Sequence, residues 1–248
     1  MTKDLTTGIG YFREGFRLIW RPGMRRFVLI PVLANVLVFA VIASVGGHYF
    51  STWVDRAVAW LPDWLGFVAW ILWLLFAVLF LLVLVYGFVF LSNLFGSPFY
   101  GLLSEKVEEL LTGQAPDSPL TVKTILMTVP RSLWREVQKL GYYLPRVLLI
   151  FVLGFLPLLQ LAAPVVSALF VAWMMAVQFV DFPADNRGIP FPRMRRSLAR
   201  RRVLAGSFGG CVFLATLVPI LNLFAMPAAV AGGTALWIRE LREDNQRK

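Results

Sequence analysis

The stretch of this chain best equipped for chemistry is Trp20-Arg21-Pro22-Gly23-Met24-Arg25-Arg26. Pro22-Gly23 breaks any helix that precedes it, and a long apolar run starts at Phe27. The backbone N–H groups of Gly23 to Arg26 then become the unpaired donors of a new helix start. Such a start binds anions through aligned donors and the positive end of the helix dipole. Arg25 and Arg26 add charge-assisted, directional hydrogen bonds at the same place, and a glycine lets a tetrahedral oxyanion approach the backbone closely. Paired arginines ahead of an apolar run are also the usual cytoplasmic anchor of a membrane segment, so the stretch carries two readings, topological anchor and anion site.

The other chemical candidates are weaker. Asp181 and Asp185 stand one helical turn apart and offer two carboxylates for Mg²⁺, as a lipid-modifying enzyme would use. The intervening Pro183 makes a turn or capping role the stronger reading. No nucleophile elbow, HExxH or Walker A motif occurs. With His48 as the one histidine and Cys211 as the one cysteine, a His-rich metal site and an internal disulfide are both excluded. The expectation is a protein that is not an enzyme and carries no cofactor or metal.

The elements that must position these residues follow from composition. Of 248 residues, 58% are hydrophobic and 15% charged, where a soluble domain has roughly 45–50% and about 25%. An ordinary cytosolic globule is excluded, and so is a disordered chain. The formal charge of +10 suggests anionic lipid headgroups and anionic solutes as partners and not nucleic acid, because the basic residues lie between apolar runs. Four such runs, Phe27–Val54, Trp64–Ser104, Val147–Val180 and Val203–Ile238, each exceed the ~20 residues that span a bilayer. The expected fold is an all-α integral membrane protein with two full transmembrane helices, 27–47 and 64–95. Pro157, Gln160 and Pro164 interrupt the third run and Pro219, Asn222 and Pro227 the fourth, so 147–180 and 203–238 read as helical hairpins, re-entrant or partly penetrating.

Charge supports that topology. Residues 1–26 hold six Lys and Arg, 48–63 one, 105–146 six, 181–202 seven and 239–248 four, leaving 48–63 as the external loop and 239–248 as a cytoplasmic tail. Ala43-Ser44-Val45 only faintly resembles a cleavage site. An interfacial amphipathic helix is expected over 1–26, with Leu5, Ile9, Phe12, Phe16, Ile19 and Trp20 on one face and Arg13, Arg17 and Arg21 on another. Amphipathic helices are expected over 98–140. One starts with Ser97 as N-cap and Pro98 as first residue, and the other, after the Gln114–Pro119 linker, is kinked or restarted at Pro130. Asp181–Gly188 reads as a turn-rich loop ahead of the basic cluster Arg193–Arg202, which anchors to an anionic leaflet or forms an anion-collecting vestibule.

The order and spacing of several landmarks resemble the CysZ-type sulfate permease family of bacterial inner membranes. They are the basic amphipathic N-terminus, Pro22-Gly23-Met24-Arg25-Arg26, Asn93-Leu94-Phe95-Gly96-Ser97-Pro98-Phe99 leading to Glu105-Lys106-Val107-Glu108, and Phe182-Pro183-Ala184-Asp185-Asn186. The family's sulfate-binding stretch looks like Gly-Leu-Arg-Arg, which falls on Gly23, Met24, Arg25 and Arg26, with Met in place of Leu. The resemblance implies sulfate as the substrate, uptake for sulfur assimilation and cysteine biosynthesis, a multi-pass inner-membrane location, a homo-oligomer, and a channel-like conductor without a nucleotide-driven motor. It also implies subunits in inverted orientations, whereas the charge asymmetry favours a single orientation.

Sulfate is strongly hydrated, so a pore must replace its water with donors. Polarity makes Asn35, Asn93, Arg131 and Arg135, with Glu105 and Glu108 as ion-pair partners, candidates for the lining beyond the capture site. The competing reading is a non-transporting membrane scaffold or assembly protein that binds anionic lipids through its basic surfaces.

Overall fold

The computed structural model describes residues 2–60, 62, 66–114, 122–156 and 159–242. The described residues form helices joined by turns: α1 Thr2–Ile19, α2 Arg25–Ala59, α3 Gly66–Thr112, α4 Val122–Leu153, α5 Ala163–Asn186, α6 Phe191–Arg200, α7 Arg202–Thr216 and α8 Pro219–Leu236, which continues into a π-helical turn, Trp237–Leu241. Among the described residues, three stretches are long and apolar enough to cross a membrane, Val36–Arg56, Ala163–Asn186 and Leu221–Leu241. This is the chain of a multi-pass membrane protein.

The chain forms two compact units. The smaller, Leu29–Phe99, takes most of α2 and α3. Its two helices meet through Phe50, whose ring lies 5.2–6.4 Å from those of Trp73, Phe76 and Phe80. Many of its large apolar side chains point outward, among them Leu33, Leu37, Trp53, Trp70 and Val83, as a lipid-facing surface requires.

The larger unit comprises the chain up to Val28 and from Tyr100 onward. Within it α1 packs on α7 and α8, α5 packs on α7 and α8, and α4 rests on α5 and α6. The core gathers Leu18 and Ile19 of α1, Met24, Leu103 and Val107 at the end of α3, Phe208 of α7 and Trp237. A buried hydrogen bond of 2.9 Å between the Ser104 and Thr234 hydroxyls ties the end of α3 to α8. Helices approach closely where side chains are absent: a Cβ on Gly15 would overlap the Ala228 carbonyl, and one on Gly209 the Ala172 carbonyl. Without water between helices to be expelled, such backbone proximity is the main source of attraction.

Several expectations are corrected. The N-terminal helix does not merely lie on an interface, because Gly8, Tyr11, Gly15, Leu18 and Ile19 face α7 and α8. Leu5, Ile9 and Trp20 stay exposed. Helix α2 continues through Gly46-Gly47 to Ala59, so most of the segment read as a loop over 48–63 is helical. No new helix starts at Ser97-Pro98, since α3 is unbroken from Gly66 to Thr112, and α4 passes through Pro130. The segment from Asp181 is helical to Asn186, with Pro183 inside α5 and the reversal delayed to Gly188 at φ +70°. An interior proline removes one hydrogen bond and need not end a helix whose flanking residues are well packed. Here Val180, Ala184 and Pro183 itself are buried.

The break expected in the third run occurs, while that expected across Pro219, Asn222 and Pro227 falls instead just before Pro219, leaving Asn222 and Pro227 inside α8. The third separates at 154–162, with Pro164 in the first turn of α5. The fourth separates at Leu217-Val218, with Pro219 opening α8 and Pro227 inside it. Pro157 lies outside the described residues.

Glycine packing is directly testable by thermal unfolding in detergent. Gly209→Val should destabilise by about 1–3 kcal/mol through overpacking. Gly206→Ala, whose Cβ meets nothing within 4 Å, should be neutral or stabilising by up to about 1 kcal/mol from helix propensity.

Candidate functional site

The turn from α1 to α2 is built by Pro22 and Gly23. The Met24 N–H donates to the Arg21 carbonyl at 3.0 Å, and Gly23 has φ +88°. Proline at the second position and a left-handed glycine at the third are the signature of a type II turn. Two contacts fix the turn to the larger unit. The Met24 side chain is buried, and the Trp20 ring lies 5.4 Å from Phe224 of α8.

Helix α2 then starts at Arg25. The Phe27 N–H closes back on the Met24 carbonyl at 3.0 Å, leaving the amides of Arg25 and Arg26 at the head of the helix. Arg25 donates Nε–H to the Trp20 carbonyl at 2.8 Å, capping the end of α1. Arg26 stacks on Phe27, with its Cζ 5.1 Å from the ring centroid. Both arginines are exposed, and neither has a carboxylate partner among the described residues. Gly23, Arg25 and Arg26 are thus brought together as expected, with one departure: the Met24 N–H is already taken by Arg21. The donors available to an anion are the first two amides of α2 and the two guanidiniums.

Beneath the surface of the larger unit lies a charge cluster of the opposite character. Asp181 on α5 is 2% exposed, Lys139 4% and Arg135 7%. Arg135 donates Nε–H to both Asp181 carboxylate oxygens, at 2.9 and 3.0 Å, and Nη2–H to Oδ1 at 2.6 Å. Its Nη1–H reaches the Ile189 carbonyl at 2.6 Å and lies 3.3 Å from Asp185. Lys139 Nζ sits 2.8 Å from Asp181 Oδ2 and 2.7 Å from Glu136. Each buried cation is thus met by a carboxylate, as burial demands. Asp181 and Asp185 are therefore engaged by these cations.

The partners of Arg135 differ from those expected, because α4 rests on α5 and α6 and its ion pairs form there. Glu108 instead holds Arg187, whose Nε–H donates at 2.9 Å, and lies 3.9 Å from Arg242. Glu105 is half-buried and its Oε2 has no hydrogen-bond partner among the described residues. Its carboxyl is pushed above the usual range by burial and by the neighbouring Glu108, with Lys106 opposing. The side chains of Asn35, Asn93 and Arg131 lie outside the described residues.

A third group joins α1 to the turn that follows α8. Arg239 forms a fork with Glu14 at 2.6 and 2.8 Å, and the Tyr11 hydroxyl donates to Glu240 at 2.8 Å. Burial and Glu240 both push the Tyr11 phenol up. Arg13, Arg17 and Arg21 line the adjoining cavity of about 540 Å³. Sequence reasoning missed these pairings and the role of Lys139. One signal was available: Arg135 and Lys139 are four residues apart, as are Asp181 and Asp185, and two such ladders of opposite sign match on facing helices.

Comparison with known proteins adds a second line of observation. The family model described as Sulfate transporter CysZ/Etoposide-induced protein 2.4 matches residues 11–227. A Pseudomonas fluorescens protein named Sulfate transporter CysZ is 41% identical over 99% of this chain and 98% of its own length. A Pseudomonas paraeruginosa protein of the same name is 45% identical over 94% and 95%, and one from Pseudomonas aeruginosa 44% over 94% and 95%.

Two stability measurements probe the buried charges. Asp181→Ala should cost about 3–5 kcal/mol by stranding two buried cations, whereas Glu109→Ala, in a partly exposed pair with Lys106, should cost under about 1 kcal/mol. The raised pKa of Glu105 has a defined sign. The folded state binds the extra proton, so stability is greatest below the carboxyl's ordinary value and is lost as pH rises through the folded pKa. Glu105→Gln should flatten that slope in thermal unfolding curves taken upward from about pH 4.5.

Proposed function

The chain belongs to the sulfate transporter CysZ/etoposide-induced protein 2.4 family, and from that premise we propose that it conducts sulfate across the bacterial inner membrane to supply sulfur assimilation and cysteine biosynthesis. The observation that carries the reading is the start of α2: two exposed guanidiniums with no carboxylate partner among the described residues, beside two helix-head amides, set up by a left-handed Gly23. This arrangement offers charge-assisted donors to a tetrahedral dianion at an accessible place.

Gly23, Arg25 and Arg26 capture sulfate, with Met24 serving as the buried peg that holds the turn. Asn35, Asn93, Glu105, Glu108, Arg131 and Arg135 are the polar residues from which the inner route is drawn. The two proline-divided runs are helical hairpins that enter the bilayer, and the protein works as a homo-oligomer among anionic lipids. Moving one charge through 100 mV is worth ~2.3 kcal/mol, so importing a dianion against an inside-negative potential costs about 4.6 kcal/mol per 100 mV. Uptake then runs on an inward gradient of roughly 10³ or more, sustained by consumption inside, or on a co-transported ion.

Labelled sulfate uptake into liposomes tests this, with both signs of membrane potential. Wild type should show saturable, potential-sensitive uptake. Arg25→Ala/Arg26→Ala should weaken apparent affinity by about 100-fold or more, since a hydrogen bond to a charged group contributes about 1.5–3 kcal/mol. Thermal unfolding controls for the lost cap on Trp20. Unchanged uptake in the folded double variant would demote both arginines to topological anchors, and no uptake by wild type would leave a scaffold.

A further inference from the structure

Tyr142 on α4 is flanked by two guanidiniums. The Cζ of Arg146 lies 3.8 Å from its ring centroid and that of Arg195, from α6, 4.3 Å. Two guanidiniums that close to one ring cannot share a face without overlapping, so the ring stands between them and they are no more than about 8 Å apart. Trp173 of α5 holds the ring's orientation by donating Nε1–H to the Tyr142 hydroxyl at 3.1 Å. Stacking uses the flat face of a guanidinium and leaves its N–H edge available. Arg146 spends one donor on the Tyr142 carbonyl at 2.6 Å. Neither arginine has a carboxylate partner among the described residues.

Beyond Arg146 the chain turns apolar. A groove of about 490 Å³ opens at Val147 between the end of α4 and the start of α5, lined by Val147, Ile150, Phe151, Phe155, Ala163 and Ser167. From Val147 to Phe155 it extends roughly 12 Å along the chain, close to the ~15 Å of one hydrocarbon leaflet. Leu148, Leu149 and Val152 on the same stretch are exposed as well. Arg146 directly precedes Val147 in the chain, so the basic pair adjoins the start of the groove.

We propose that this is a binding site for one anionic phospholipid, its phosphodiester held by Arg146 and Arg195 and one acyl chain lying in the groove. Charge complementarity selects an anionic headgroup, and the groove requires a chain that free phosphate lacks. The site is separate from the turn at Gly23–Arg26 and does not depend on the sulfate reading.

Native mass spectrometry of delipidated full-length protein titrated with phosphatidylglycerol or phosphatidylcholine tests the site. Wild type should prefer phosphatidylglycerol, and Arg146→Gln/Arg195→Gln should reduce that preference at least about 10-fold. Arg146→Lys/Arg195→Lys keeps charge, loses the stacked fork, and should fall between. Ser167→Trp, which fills the groove, should lower retention of both lipids. Thermal unfolding of the same samples should show phosphatidylglycerol stabilising wild type and not the Gln variant, while sulfate binding is unchanged. Equal phosphatidylglycerol retention in the folded Gln and Lys variants would overturn the proposal. So would full displacement by millimolar inorganic phosphate, which would mark a free-anion site. Loss of oligomer without loss of lipid in Ser167→Trp would overturn it too, because a second copy of the chain would then fill the groove.

Discussion

A chain that is 58% hydrophobic can carry ionised groups inside only if each one is answered, and the Arg135–Asp181–Lys139 cluster shows how strictly this holds. Asp181 receives three hydrogen bonds from Arg135 and an ion pair from Lys139, and the remaining Arg135 donors go to Ile189 and Asp185. Much of the surrounding geometry follows from this requirement. Helix α5 must stay helical through Pro183 for Asp181 and Asp185 to face the same partner. The chain must reverse at Gly188 for the Ile189 carbonyl to return to Arg135. A buried pair of this kind adds little net stability over a well-packed apolar substitute. Its contribution is registry, because Arg135 and Lys139 both meet Asp181 only at one position of α4 along α5.

The cations of the larger unit fall into two classes. Those inside, Arg135 and Lys139, are neutralised, and Arg187, Arg239 and Arg242 each meet a carboxylate nearer the surface. Those at the α1–α2 turn, like Arg146 and Arg195, have no carboxylate partner among the described residues. The helix ends reinforce this difference. The last carbonyls of α1 are consumed locally, Leu18 by the Arg21 N–H, Trp20 by Arg25 Nε–H and Arg21 by the Met24 N–H. The amides that open α2 have no such local acceptor. The negative end of one helix dipole is thereby masked while the positive end of the next stays uncovered, so the field at the turn attracts anions beyond what the two arginines supply.

The sequence is most informative where the governing physics is local. Pro22-Gly23 specifies a turn by itself, and Pro164 and Pro219 open helices because a first-turn residue needs no N–H donor. Pro98, Pro130, Pro183 and Pro227 carry the same letter and lie inside helices, and at Pro183 the missing bond is set against burial that only the folded chain reveals. The face of α1 is another case. Gly8 and Gly15 look like weak points in an amphipathic helix until α7 and α8 are placed against them, and then they become the contact surface. Charge pairing was legible only as two unmatched ladders. That Arg135 and Lys139 answer Asp181 and not Glu105 or Glu108 depends on which helices touch, and separations of 46 residues between Arg135 and Asp181 and 79 between Glu108 and Arg187 leave no trace in local pattern.

The contrast between the open turn and the paired interior constrains the proposed transport. In the proposed capture at the turn, sulfate would keep part of its hydration and exchange the rest for donors that no carboxylate among the described residues occupies, so binding there would be reversible. A dianion passing deeper would meet cations already committed to carboxylates, and it would gain only what it took from Asp181 or Glu108 while leaving those groups repelled. The interior would then hold sulfate weakly, and weak intermediate residence is a requirement for conduction, since an ion bound tightly along its route does not leave. Capture and passage would thus be separated by pairing: unpaired arginines where the ion must be recognised, paired ones where it must not stay.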